Sequence, residues 1–133
     1  MSGGDVAGIL GAPVYEAPLT DGGTRRFYHD AVSMVATWRV DFGAGGRVQD
    51  FAPATTSIEF AEVVPGQWKK GDVLMKFGLP DRMEAVPGKS QSELIYHYQE
   101  NGVRAAYMYI TLDPDGTVIG TEAVPVFLRP SHR

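Results

Sequence analysis

The chain contains no cysteine, no long apolar run and no strong excess of charge of either sign. Its 133 residues carry a formal net charge of −4. The lack of cysteine excludes disulfides, thiolate nucleophiles and cysteine-based zinc sites. No apolar run approaches the ~20 residues that a membrane-spanning helix needs. The mild acidity gives neither an electrostatic footprint for nucleic acid nor a basic patch for a membrane surface.

An internal repeat is the most informative feature that the sequence does have. The stretch GDVAGILGAP at 4–13 returns as GDVLMKFGLP at 71–80. With short insertions, FYH at 27–29 aligns with IYH at 95–97, and the block that begins at Val40 aligns with the block that begins at Ile110. Three matched blocks in the same order indicate a duplication, which constrains the architecture of the whole chain.

Each unit is predicted to be a helix followed by a small antiparallel sheet. In the second unit, Val73, Leu74 and Phe77 share one helical face, and Gly78 is typical of a helix C-terminus. In the first unit we predict a helix at Asp5–Leu10, strands near 25–29 and 35–42, a turn at 43–46 and a return strand from 47. In the second unit we predict strands over 93–99 and 105–112, a turn at 113–116 and a return strand over 117–124.

The predicted fold class is therefore α+β, with two tandem helix-plus-antiparallel-sheet repeats in one compact body. The first repeat spans 1–55 in shortened form, and the second spans 56–133. Between them, Thr56 or Ser57 is expected to cap a short helix over Ile58–Val63. The basic tail LRPSHR is expected to be frayed.

The second unit resembles a known family in its motifs. FAEVVPGQWKKGDVLMKFGLPDR, an aromatic strand and YITLDPDGTVIG together resemble the BamE-type (SmpA/OmlA) outer-membrane lipoproteins. The match covers about 58–124 fully and about 4–51 in a shortened form. The whole chain is similar to the tandem-repeat relatives of that fold, whose helix-plus-sheet plan the β-lactamase inhibitor proteins share.

The resemblance implies a location and a function. Family members carry a signal peptide and a lipidated cysteine and face the periplasm from the outer membrane, so this chain would be the mature soluble part of an envelope lipoprotein. The implied function is non-enzymatic protein binding or scaffolding, with another envelope protein as the partner. A secreted or periplasmic inhibitor of the β-lactamase-inhibitor type is the alternative. A lipidated cysteine upstream would favour the first interpretation, and a plain secretion signal the second.

No residue pattern points to catalysis, a cofactor or a metal. His29 and His97 occupy equivalent strand positions, but no carboxylate or second ligand stands beside either at metal-binding spacing. DPDG at 113–116 lacks the later ligands of a calcium loop and is expected to be a plain turn. GAGG at 43–46 is not followed by a helix, which argues against a phosphate loop. We therefore expect a protein that is not an enzyme.

The candidate partner-binding site is a sheet face. Tyr107 and Tyr109 alternate with core-type residues, so we expect them to point outward, joined by Ile95 and His97 and with Trp68 at the rim. The competing interpretation is that tyrosines occupy an exposed sheet through β-propensity alone. In the first unit, Trp38 aligns with Met108 and is expected in the core.

Overall fold

Each half of the chain forms a four-stranded antiparallel meander. The protein is represented by a computed structural model that describes residues 2, 5–6, 11–29, 37–100 and 104–126. The strands are β1 (Tyr15–Pro18), β2 (Thr24–His29), β3 (Thr37–Phe42) and β4 (Val48–Pro53) in the first sheet, and β5 (Arg82–Ala85), β6 (Ser92–Glu100), β7 (Arg104–Leu112) and β8 (Val118–Pro125) in the second. Two short helices, α1 (Ser57–Phe60) and α2 (Lys70–Phe77), lie between the sheets in sequence.

The predicted α+β class with helix-plus-sheet repeats is wrong, because the fold is dominated by its sheets. Helices α1 and α2 have only four and eight residues. Of the predicted first-unit helix, Asp5 and Val6 are helical and residues 7–10 lie outside the described residues. Strands β1 and β5 add a fourth strand to each sheet. The expectation for the tail also falls outside the described residues.

The alignment of the two sheets is confirmed by their strand registers. If two residues pair across neighbouring strands of the first sheet, the residues aligned with them pair in the second sheet. The pair Tyr15–Phe27 corresponds to Arg82–Ile95, and the pair Phe27–Arg39 corresponds to Ile95–Tyr109. The pair Phe42–Val48 corresponds to Leu112–Val118. Each sheet has a register shift at the same place, between Asp41 and Phe42 and between Thr111 and Leu112. The sheet portion of the duplication is therefore preserved residue by residue.

The two predicted hairpin turns have the same backbone geometry. Gly46 and Gly116 both have φ of 86°. In each turn the fourth residue donates its backbone N–H to the carbonyl of the first, at 2.9 Å in both cases. The turn at 113–116 is held further by the Asp113 carboxylate, which accepts from the backbone N–H groups of Asp115 and Thr117. This internal use of the carboxylate is typical of a plain turn.

The largest core cluster lies between the second sheet and the helices. Phe60 of α1 contacts Phe77 of α2 at a ring-centroid distance of 4.4 Å, and Tyr96 and Tyr98 of β6 at 5.7 and 4.9 Å. Val73 completes the buried face of α2. Aromatic side chains bury large areas, so this cluster supplies much of the stability of the second half.

Both helices begin and end with specific contacts. The Thr56 hydroxyl accepts from the Glu59 N–H at 3.2 Å, as a capping residue does. The Asp72 carboxylate accepts from the Lys69 N–H at 2.8 Å at the start of α2. Helix α2 ends at Gly78, which has φ of 82° and whose carbonyl accepts from the Tyr96 hydroxyl at 2.7 Å. The predicted capping by Thr56 and the predicted glycine terminus of α2 are confirmed, but α1 ends at Phe60 and does not continue to Val63 as expected.

The first sheet does not pack against the helices through the face that is equivalent to the one used by the second sheet. It uses the other of its two faces. Phe27 is fully buried, and a Cβ on Gly78 would lie 2.9 Å from the Phe27 Cγ. Arg25 donates to the Met75 carbonyl at 2.9 Å, and Arg39 pairs with Glu59 at 3.1 Å. The helices therefore contact both sheets. We call this side of the first sheet, defined by Arg25, Phe27, Arg39 and Asp41, the arginine face.

Candidate functional site

The structure brings four of the five predicted site residues together on one side of the second sheet. Ile95 lies opposite Tyr109, and His97 lies opposite Tyr107, across the β6–β7 ladder. Directly opposed residues share a face of an antiparallel pair. This face, which we call the tyrosine face, is turned away from the cluster that contains Met108 and Ile110. By register it is the counterpart of the arginine face.

The expectation that all four residues point into solvent is wrong for two of them. Ile95 is 0% exposed and Tyr109 is 5% exposed, whereas His97 and Tyr107 are half-buried. Strand alternation shows only which side of a sheet a residue occupies, and both sides of this sheet are covered around its centre. The accessible part of the tyrosine face is therefore the end that carries His97 and Tyr107.

Trp68 does not rim the tyrosine face. It packs against the core cluster on the helical side of the second sheet, with its ring centroid 6.4 Å from that of Phe77. It also lines an open cleft of about 400 Å³ together with Arg25, Gln67, Asp72, Met75 and Lys76. The structure therefore separates Trp68 from the other predicted site residues.

An arginine that the sequence interpretation missed joins the accessible end. The Arg82 guanidinium lies over the Tyr107 ring, 5.6 Å from its centroid, and the His97 ring lies 5.0 Å from Tyr107. Arg82 also pairs with Glu84 at 3.1 Å. It reaches Tyr107 because Arg82 faces Ile95 in the β5–β6 register. Strand β5 is fully exposed and shows no alternation, so the periodicity of the sequence could not indicate it.

The His97 main chain and ring have different environments. Its backbone N–H donates to the Asp81 carboxylate, which fixes the edge of β6 beside β5. The ring Nε2 is enclosed, with no hydrogen-bond partner among the residues that the structure describes. A buried ring nitrogen without a partner costs free energy, so the position of this ring is determined by its stacking on Tyr107 and by packing.

The described residues give no group of three His, Asp or Glu side chains that could hold a metal ion. His29 lies 3.4 Å from the Thr37 hydroxyl, measured from Nδ1, and so has a structural neighbour. Within the same residues, no helix is both long enough and apolar enough to cross a membrane.

Comparisons with known proteins leave the family open. No family model matches the chain, and no curated protein matches it. A solved structure that resembles it is a DUF4309 family protein, YjgB, from Bacillus subtilis, with 15% identity and a TM-score of 0.40 over 93% of this chain and 78% of that one. A likeness at this level assigns no function, and the resemblance to BamE-type proteins stays a prediction.

Proposed function

We propose that this chain is a non-enzymatic protein-binding module whose contact surface is the accessible end of the tyrosine face. The observation that carries the proposal is the stack that Tyr107 forms with two neighbours, the His97 ring at 5.0 Å and the Arg82 guanidinium at 5.6 Å. Tyrosine and arginine are enriched among the residues that dominate binding energy at protein interfaces. Their partial exposure here leaves surface for a partner to cover.

The buried residues next to the stack support this role. Ile95 and Tyr109 are held in the sheet ladder beside His97 and Tyr107, so the stack borders on side chains that are already fixed. A surface that is ordered before binding loses less conformational entropy when a partner arrives. The stack is therefore suited to rigid recognition of a protein surface.

The setting we propose is the bacterial cell envelope, at the periplasmic side of the outer membrane. This part of the proposal is supported by the motif resemblance over 58–124 alone. Inhibition of an enzyme remains the alternative protein-binding function. The two differ in the partner, which is an envelope component in the first case and an enzyme in the second.

The test is site-specific photo-crosslinking in bacterial envelope extract. A photoreactive phenylalanine analogue replaces Tyr107 in one variant and Met83 in the control, because Met83 is 59% exposed and points to the opposite side of the second sheet. We expect one defined protein to crosslink from position 107 and not from position 83. His97→Ala with Arg82→Ala should reduce that crosslink at least tenfold while the melting temperature changes little. Equal crosslinking from both positions would overturn the proposal.

A further inference from the structure

The outer edge of strand β5 is open in the part of the chain that the structure describes. β5 lies at the edge of the second sheet, where its neighbour is β6. The Val86 N–H donates to the Gln91 carbonyl at 2.9 Å, and alternate residues of an antiparallel strand bond to the same neighbour. Met83 and Ala85, which alternate with Val86, therefore direct their main-chain groups outward. Among the described residues, no backbone hydrogen bond outside the β5–β6 ladder uses either of them.

The other edge strands carry a protection that β5 lacks. All three end in proline, at Pro18, Pro53 and Pro125. In the register, Pro18 of β1 stands where β5 has Ala85, and Glu16 stands where β5 has Met83. Proline and charge are two of the devices that keep an edge strand from pairing with another chain. β5 has no proline, and its Met83 side chain is 59% exposed.

The sequence of β5 is complementary to itself in antiparallel pairing. If Met83 lies opposite Met83 of a second copy, Arg82 of each copy lies opposite Glu84 of the other. The two Met83 residues then exchange hydrogen bonds through their outward N–H and C=O groups. Opposite charges directly across two strands stabilise the pairing, and like charges destabilise it. The equivalent pairing of two β1 strands would instead place Glu16 opposite Glu16.

Both sides of the paired strands would gain side-chain contacts. On the tyrosine face, Arg82 and Glu84 already pair at 3.1 Å with side chains that are 51% and 44% exposed, so two copies would form one network of four alternating charges. On the other side, the exposed Met83 side chains would cover each other. Strands β4 and β8 contain no basic residue, so self-pairing at those edges offers no such match.

We propose that two copies of this chain pair antiparallel through β5 and join their second sheets into one continuous sheet. The paired segment has only four residues per copy, against the ~20–30 per side of a stable interface, so the dimer exchanges rapidly with the monomer. The proposal does not rest on a partner binding at Tyr107. Because Arg82 belongs to both surfaces, the pairing is tested on the purified chain alone.

Charge reversal on β5 tests the pairing by sedimentation velocity between ~20 µM and ~1 mM protein. We expect the average mass of the parent protein to rise from that of one chain toward that of two. Arg82→Glu leaves β5 with two negative charges and Glu84→Arg with two positive charges, so each variant should self-associate at least tenfold more weakly. An equal mixture of the two variants should associate again, because each charge then meets its opposite. Arg82→Glu with Glu84→Arg in one chain should behave as the parent does.

Met83→Pro is the control for backbone pairing, because it removes an N–H that β6 does not use. It should barely change the melting temperature of the dilute protein and should abolish association of the parent chain and of the charge-reversed mixture. A parent protein that stays monomeric up to ~1 mM would overturn the proposal. So would equal self-association of the parent and the single-reversal variants, or association that survives Met83→Pro. A photo-crosslink from position 83 with twice the mass of the chain would support the pairing, and its mass distinguishes it from the partner crosslink expected at position 107.

Discussion

The two sheets of this protein have the same strand order and the same register, but their surroundings differ. In the second half, twelve buried residues of the described chain form one cluster around the Phe60–Phe77 contact. In the first half, four buried residues form a cluster around Tyr28 and Val40, with Trp38 packed at its edge. Phe27 of the first sheet lies against the end of helix α2 of the second half, and Arg39 pairs with Glu59 of α1. Duplication has thus kept the backbone pairing while the two halves have come to contribute unequally to stability.

The largest expected effect tests that inequality with two phenylalanines. Phe77→Ala removes a fully buried ring from the second cluster and should lower the free energy of unfolding by ~3–5 kcal/mol. Phe51→Ala removes a ring that is 50% exposed and stacks on Trp38 at 5.0 Å, so it should cost ~1 kcal/mol or less. Urea unfolding measures both, and equal losses would show that the halves contribute alike.

The next comparison uses the two glycines that open the GxP motifs. Gly78 and Gly11 have φ of 82° and 84°, so alanine is strained at either position. A Cβ at Gly78 would also meet the Phe27 ring at 2.9 Å, whereas a Cβ at Gly11 has no heavy atom within 4 Å. Gly78→Ala should therefore cost ~2–4 kcal/mol and Gly11→Ala ~1–2 kcal/mol. Thermal melts of the two variants give the difference, and matching shifts would contradict the close approach of sheet and helix.

The repeat allowed the sheets to be predicted, because duplicated sequences keep the same pairing of residues between neighbouring strands. The equivalence of Phe27 and Ile95 followed directly from the sequence. The edge strands could not be predicted in this way. Strand β5 is exposed along its whole length and lacks the alternation that marks a half-buried strand. Strand β1 does alternate, but it has only four residues and ends in Pro18, so its pattern is too short to indicate a strand.

The site was predicted in part, for a related physical reason. Alternation placed Ile95, His97, Tyr107 and Tyr109 on one side of the sheet, and the structure confirms that placement. It could not show that Ile95 and Tyr109 are buried, because burial depends on what lies over a face. Nor could it place Trp68, whose position is set by packing between α2 and the core. The predicted α+β class was wrong because apolar residues at helical spacing do not give the length of a helix. The helices proved to be short, so the sheets dominate the fold.

A smaller effect is expected at the ion pairs that set the arginine face apart. Arg25 binds Asp41 through two hydrogen bonds, at 2.7 and 2.9 Å, and both side chains are largely buried. The neighbouring Arg26–Glu16 pair has side chains that are 33% and 56% exposed. Double-mutant cycles with Arg→Met and acid→amide changes should give a coupling of ~1–2 kcal/mol for the first pair and less than ~0.5 kcal/mol for the second. Similar couplings would show that the arginine face has no special role.

The smallest effect concerns Tyr96, whose hydroxyl joins the second sheet to the end of α2. Burial raises the pKa of Tyr96 above its ordinary value of 10.0, because the charged form would lose its solvation. The folded state therefore favours the neutral hydroxyl, and this contribution to stability is complete below pH 10 and is lost as the pH rises beyond it.

Tyr96→Phe removes the hydrogen bond to the Gly78 carbonyl and should cost ~1 kcal/mol at neutral pH. Above pH 10 the variant should lose less stability than the parent protein does, so the two curves of unfolding free energy should converge. Curves that stay parallel in urea titrations through the alkaline range would show that Tyr96 ionises as readily in the folded chain as in the unfolded one.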